Sequence, residues 1–190
     1  FKIAAIRETF EEGGILLAYH AKTGAPVSKI NVDRVLSRYR TLISSGKLTF
    51  GEMLHKENLI ADTNKLVPFA HWITPPNRVK RFDTHFFVAG YADDQQADHD
   101  GGEITETIWI SPAEMLTAAK AGQHKLVFAT RMNVERLAAF KTVDHALKEI
   151  QATPVVTVRP ETIDTHEGKR VRIPLAAGYG GELFVSNDPA

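Results

Sequence analysis

The segment Arg7-Glu8-Thr9-Phe10-Glu11-Glu12-Gly13-Gly14-Ile15 constrains this chain more than any other. It ends an amphipathic stretch, residues 2–12, whose periodicity predicts a helix. Each helical residue turns by about 100°, so Glu8, Glu11 and Glu12, at i, i+3 and i+4, fall within an arc of about 100°. Ile3, Ile6 and Phe10 gather on the opposite side. One face can therefore bury while the other presents three carboxylates at nearly one point, and Gly13-Gly14 stops the helix behind them. Carboxylates held so close repel one another. An ordinary solvated helix face tolerates this. A group of Mg²⁺ or Mn²⁺ ions relieves it, because hard cations favour oxygen ligands. Arg7 lies beside Glu11 on the helical wheel and can orient its carboxylate.

Downstream, helices and strands mix without the regular alternation of a doubly wound sheet, which predicts an α/β (α+β) class. Residues 15–19 form a short apolar run with strand character. Val32, Val35, Leu36, Tyr39, Leu42 and Ile43 mark a helix over 31–44, and a shorter one follows at 49–59. Strands are expected at 66–74, broken by Pro75-Pro76-Asn77, at 81–91 and at 104–110. Ser111-Pro112 reads as a helix start, with serine at the cap and proline at the first turn. Further helices fall at about 129–140 and 142–151, and the alternation at 155–158 and 171–175 predicts a hairpin or edge strands.

Composition excludes several function classes. The 190 residues carry 23 Lys plus Arg against 23 Asp plus Glu, so no global charge favours nucleic acid or an anionic membrane. No apolar run approaches the roughly 20 residues of a membrane span. With no cysteine there is no disulfide, thiolate site or thiol nucleophile.

The acidic segment resembles the second half of the Nudix box, Arg-Glu-aliphatic-x-Glu-Glu-x-Gly-aliphatic. Arg7, Glu8, Glu11, Glu12, Gly14 and Ile15 stand where that pattern wants them, and Thr9 departs from it at the aliphatic position. The stretches His71-Trp72-Ile73-Thr74-Pro75 and Arg81-Phe82-Asp83-Thr84-His85-Phe86-Phe87 resemble the coenzyme A diphosphatase subgroup of Nudix hydrolases. So does Glu103-x-x-Glu106-x-x-Trp109-x-x-Pro112, with looser similarity at Arg136-Leu137-Ala138 and beyond.

This resemblance implies a Nudix α/β/α sandwich with a mixed sheet, one domain over 1–190, a helical insertion over 21–65 and a C-terminal extension over 152–190. It implies that Glu8, Glu11 and Glu12 hold Mg²⁺ or Mn²⁺, with Arg7 supporting them, and that Glu103 or Glu12 itself takes the proton from attacking water. Arg81, Asp83 and Trp72 become candidate substrate contacts, although Arg81 and Asp83 read more simply as alternate positions of a core strand and Trp72 as packing beside the Pro-Pro turn. The implied substrate is a small nucleoside diphosphate derivative, coenzyme A or acyl-CoA among them. A non-catalytic Nudix-like nucleotide sensor is the competing class. The first half of the box would lie before Phe1, so the chain is expected to lack its N-terminal strands and to leave Ile3, Ile6 and Phe10 poorly covered. Its last residues, Asp188-Pro189-Ala190, are not a peroxisomal Ser-Lys-Leu address, and the expected setting is the bacterial cytoplasm.

Overall fold

The computed structural model describes residues 1–90, 95, 97 and 107–185. These residues form two compact units, one built from 1–66 with the segment 89–108, the other from 67–88 with 109–190.

In the first unit, α1 (Lys2–Gly13) is followed by β1 (Ala18–His20), α2 (Lys29–Ser44), α3 (Phe50–Lys56) and β2 (Leu59–Ala61). Thr49 caps α3 through a reciprocal capping box with Glu52. Strand β1 pairs antiparallel with β2, Ala18 opposite Ala61 and His20 opposite Leu59. The apolar stripe of α2, Val32, Val35, Tyr39 and Ile43, is buried in this unit. Ile6 and Phe10 are fully buried as well, which corrects the expectation that they would be poorly covered; Ile3 is exposed. The cover comes from residues that follow α1, as the 5.8 Å contact between the Phe10 and Phe50 rings shows.

The second unit contains a mixed three-stranded sheet in the order β4-β3-β5. Strand β3 (Val67–Ile73) pairs antiparallel with β4 (Asp83–Val88) and parallel with β5 (Thr157–Val158). A bulge between Pro68 and Ala70 interrupts the β3–β4 register, and a bulge is where a central strand can hold a proline. The parallel pairing needs a long crossover, and α4 (Pro112–Lys120), α5 (Phe128–Ala138) and α6 (Val143–Ala152) supply it. Ser111 caps α4 with Glu114 as the reciprocal partner and proline in the first turn. Arg136 of α5 donates to the Phe69 carbonyl at 3.1 Å and lies over the Phe69 ring. A meander, β6 (Glu161–Thr165), β7 (Gly168–Arg172) and β8 (Leu183–Phe184), completes the unit. Its core joins Phe69, Trp72, Phe128, Met132, Ile150 and Val158.

Of the strand expected over 104–110, the described part, 107–110, carries no regular structure, and Ile108 and Trp109 are exposed. Apolar, β-prone residues make a strand only where a partner ladder receives them. No helix among the described residues is long and apolar enough to cross a membrane.

Glu57, just past α3, ties the helices of the first unit together. It accepts from Arg34 at 2.5 and 3.2 Å and from the Tyr39 hydroxyl at 2.8 Å. The Arg34 guanidinium, aided by Tyr39, holds the Glu57 carboxyl below its ordinary value of 4.5, with burial opposing. The resulting stability is present above that ordinary value and is lost as pH falls through the lowered one. Glu57→Gln is expected to cost about 1 kcal/mol near neutral pH. In urea melts, its difference from wild type should shrink on acidification below pH 4.5; a constant difference would mean that Glu57 is not charged against Arg34.

Candidate active site

The acidic end of α1 is organised from both sides. Arg7 donates to Glu11 Oε1 at 3.0 Å and also bonds Glu8, so one guanidinium bridges two of the three carboxylates. Glu8 is well exposed, whereas only 12% of the Glu11 side chain is. The Thr9 hydroxyl folds back onto the Ala5 carbonyl at 2.8 Å, which lets threonine serve where the motif prefers an aliphatic residue. Gly14 ends the helix in the left-handed region at φ 67°, and the Ile15 N–H reaches back to the Thr9 carbonyl at 3.3 Å. Glycine adopts this conformation at little cost.

Two partners of this end were not evident from sequence. Arg40 of α2 donates through Nε to the Glu11 carbonyl at 2.6 Å and through a terminal nitrogen to the Glu12 carbonyl at 2.8 Å. It thus caps the negative end of the helix that carries the carboxylates. Gln95 clamps the backbone of Leu16, accepting from its N–H at 3.0 Å and donating to its carbonyl at 3.1 Å. Arg40 sits on the half-buried flank of a helix read for its apolar stripe, and Gln95 belongs to a polar stretch of sequence without periodicity. Neither position signals its partner.

The other candidates lie in the second unit. Trp72 is buried, packed edge-on against Phe128, and its indole N–H donates to the Tyr179 hydroxyl at 3.0 Å. Burial pushes the Tyr179 phenol up. Trp72 lines a cavity of about 800 Å³ with Phe82, Phe86, Phe128, Arg78 and Lys125. Strand alternation turns Asp83 away from that lining. Asp83 meets His71 Nε2 at 2.6 Å and His85 Nε2 at 3.7 Å. The His71 Nδ1 lies 2.8 Å from Thr157 Oγ1. Arg81 donates to the Thr74 carbonyl at 3.3 Å, closing the base of the β3–β4 loop. Of the expected site residues, Arg7, Glu8 and Glu11 are directly bonded; Trp72, Arg81 and Asp83 each have separate partners. Glu103 and Glu106 lie outside the described residues.

The family model of the NUDT19 Nudix domain matches residues 1–137, and the chain belongs to the Nudix hydrolase family. It is 30% identical over 164 residues to a protein of Caenorhabditis elegans named putative nudix hydrolase 7, an alignment covering 83% of this chain and 52% of that one. It is 29% identical over 135 residues to a Xenopus laevis protein named acyl-coenzyme A diphosphatase NUDT19, covering 66% of this chain and 35% of that one. The chain thus spans about half, or less, of the length of these relatives. A crystal structure of a NUDIX hydrolase from Alicyclobacillus acidocaldarius shares the fold, with a TM-score of 0.60 at 24% identity over 77% of this chain and 64% of that one. The mixed sheet with its helices is accordingly a Nudix α/β/α architecture.

Arg40→Ala leaves the last carbonyls of α1 without their cation. Its expected cost is about 1.5–3 kcal/mol, the range for hydrogen bonds to a charged group. Arg40→Lys should recover only part, because an ammonium lacks the planar fork. Chemical melts of the three proteins check this, and an unchanged Arg40→Ala midpoint would mean that the cap contributes nothing.

Proposed function

We propose that the chain carries the catalytic helix of a metal-dependent hydrolase. It cleaves the diphosphate linkage of a nucleoside diphosphate derivative, coenzyme A or an acyl-CoA being the favoured substrate, into two monophosphates. The observation that carries this reading is the end of α1: Glu8 and Glu11 bridged by Arg7, Glu12 beside them, and the helix stopped by Gly14. An all-carboxylate donor set suits Mg²⁺ or Mn²⁺, so Glu8, Glu11 and Glu12 fit the ions that the family implies. When bound, such ions neutralise phosphate oxygens and acidify water.

The remaining work falls to the chain itself. Arg7 holds the Glu8 and Glu11 carboxylates in place, and Arg40 keeps the helix end from fraying behind them. Attack of a water oxygen on phosphorus breaks the bridging P–O bond, and the water proton must pass to a carboxylate. We assign that role to Glu12 or, as the alternative, to Glu103. Arg81 and Asp83 are proposed to contact the substrate. Trp72 would contribute a cavity wall rather than an open stacking face, since it is only 4% exposed. The names of the acyl-CoA diphosphatase relatives support the choice of substrate class. One domain over 1–190, with an insertion over 21–65 and an extension over 152–190, belongs to the same proposal, as does a bacterial cytoplasmic setting.

Glu12→Gln should lower kcat by roughly two orders of magnitude, about 3 kcal/mol on the barrier, with the fold intact by circular dichroism. Near-normal turnover would remove Glu12 from the machinery. Product chromatography with coenzyme A, ADP-ribose, NADH and diadenosine polyphosphates, each with Mg²⁺ or Mn²⁺, tests the substrate. The expected products from coenzyme A are 4′-phosphopantetheine and adenosine 3′,5′-bisphosphate. Cleavage of ADP-ribose with none of coenzyme A would move the specificity elsewhere. Glu103→Gln should lower kcat with metal affinity nearly unchanged if Glu103 is the base; full activity would leave that role to Glu12.

A further inference from the structure

One cluster of ligating side chains among the described residues lies outside α1: His71, Asp83 and His85. The β3–β4 register sets His71 opposite His85, and Asp83 opposite Ile73 two residues along, so the three side chains share one face of the sheet. One donor atom from each lies within 4.8 Å of the other two. Asp83 Oδ1 is 2.6 Å from His71 Nε2 and 3.7 Å from His85 Nε2. The two imidazoles stack at 4.0 Å between centroids, 12° from parallel.

Bonds of about 2.0–2.2 Å to a tetrahedral zinc ion put its ligand atoms about 3.3 Å apart. The 2.6 and 3.7 Å separations straddle that value, so small side-chain rotations would seat an ion. A second observation is independent of these distances. His71 Nδ1 lies 2.8 Å from the Thr157 hydroxyl, which the parallel register of β5 places beside it. In the tautomer with Nδ1–H donating to that hydroxyl, the Nε2 lone pair faces Asp83 in the manner of a metal-ligating imidazole anchored by its other nitrogen; in the other tautomer Nε2–H donates to Asp83 and Nδ1 accepts from the hydroxyl. In the first tautomer a cation placed between Nε2 and the carboxylate relieves the approach of two lone pairs at 2.6 Å, and a dication engages His85 as well.

We propose that His71, Asp83 and His85 bind a transition-metal dication of the zinc class, with Thr157 holding His71 from behind. Imidazole suits such ions, whereas Mg²⁺ prefers oxygen ligands. The side chains of His71 and His85 are 17% and 30% exposed and that of Asp83 is 59% exposed. Solvent therefore reaches the ion from the Asp83 side, and three protein ligands leave a coordination position for water. The ion would bind whether or not the chain hydrolyses diphosphates.

Titration of the metal-free 190-residue chain with Co²⁺, followed by visible absorption, tests the site. One equivalent should give saturable d–d bands that Zn²⁺ abolishes and a large excess of Mg²⁺ does not. His85→Ala and Asp83→Asn should each weaken Co²⁺ binding by at least tenfold. Thr157→Val removes no ligand, yet should weaken binding by roughly 10–100-fold. It carries the test if a histidine variant loses its circular dichroism spectrum. Glu12→Gln should keep the bands. Absence of bands in the wild-type protein, as a plain His71–Asp83 hydrogen bond would give, overturns the proposal. So do bands that survive both His85→Ala and Thr157→Val, bands displaced by Mg²⁺, or bands lost in Glu12→Gln.

Discussion

The carboxylates of α1 are useful only if the helix end that bears them keeps one shape, and that shape rests on Arg40. Its guanidinium satisfies the Glu11 and Glu12 carbonyls from a neighbouring helix. Unbonded, these carbonyls would carry the negative pole of the helix directly beneath three acidic side chains. Gly14 works with it by turning the chain at φ 67° without a Cβ penalty. The same end is held on its inner side by Ile6 and Phe10, whose full burial gives α1 a fixed roll. Burial sets which way the helix faces, and hydrogen bonding sets where it stops.

The second unit solves a different problem. A strand inside a sheet alternates its side chains, so β3 and β4 can serve two faces at once. Trp72, Thr84 and Phe86 line the cavity, while His71, Asp83 and His85 form a polar cluster. The bulge at Pro68 to Ala70 makes this compatible with the core, because both Phe69 and Ala70 are buried although they are adjacent in sequence. The polar cluster is completed only by β5, whose Thr157 lies 86 residues from His71.

Much of the local structure was legible. The periodicity of residues 2–12 and the Gly13-Gly14 stop correspond to α1, and Ser111-Pro112 to the capped start of α4. The pattern at 31–44 corresponds to α2, which begins at Lys29. These signals lie within one or two turns of chain, where helix geometry and capping act. Residues 107–110, the described part of the apolar run at 104–110, form no strand despite their composition. Poor cover for Ile6 and Phe10 is the expectation from sequence, whereas both are buried and Phe50, far downstream, packs against Phe10.

By itself the sequence determined that three glutamates share one helical face opposite an apolar one, that glycine ends the helix behind them, and that Asp83 and His85 alternate to one side of a strand. These follow from fixed periods of 3.6 and 2 residues and need no knowledge of partners. Only the tertiary structure decided that Arg7 bridges Glu8 and Glu11, that Arg40 caps the helix, that Trp72 is buried rather than presented, and that His71 meets Asp83 and Thr157. The physical reason is that rotamers, ladder register and helix packing join residues dozens of positions apart, and no local pattern encodes which ones will meet.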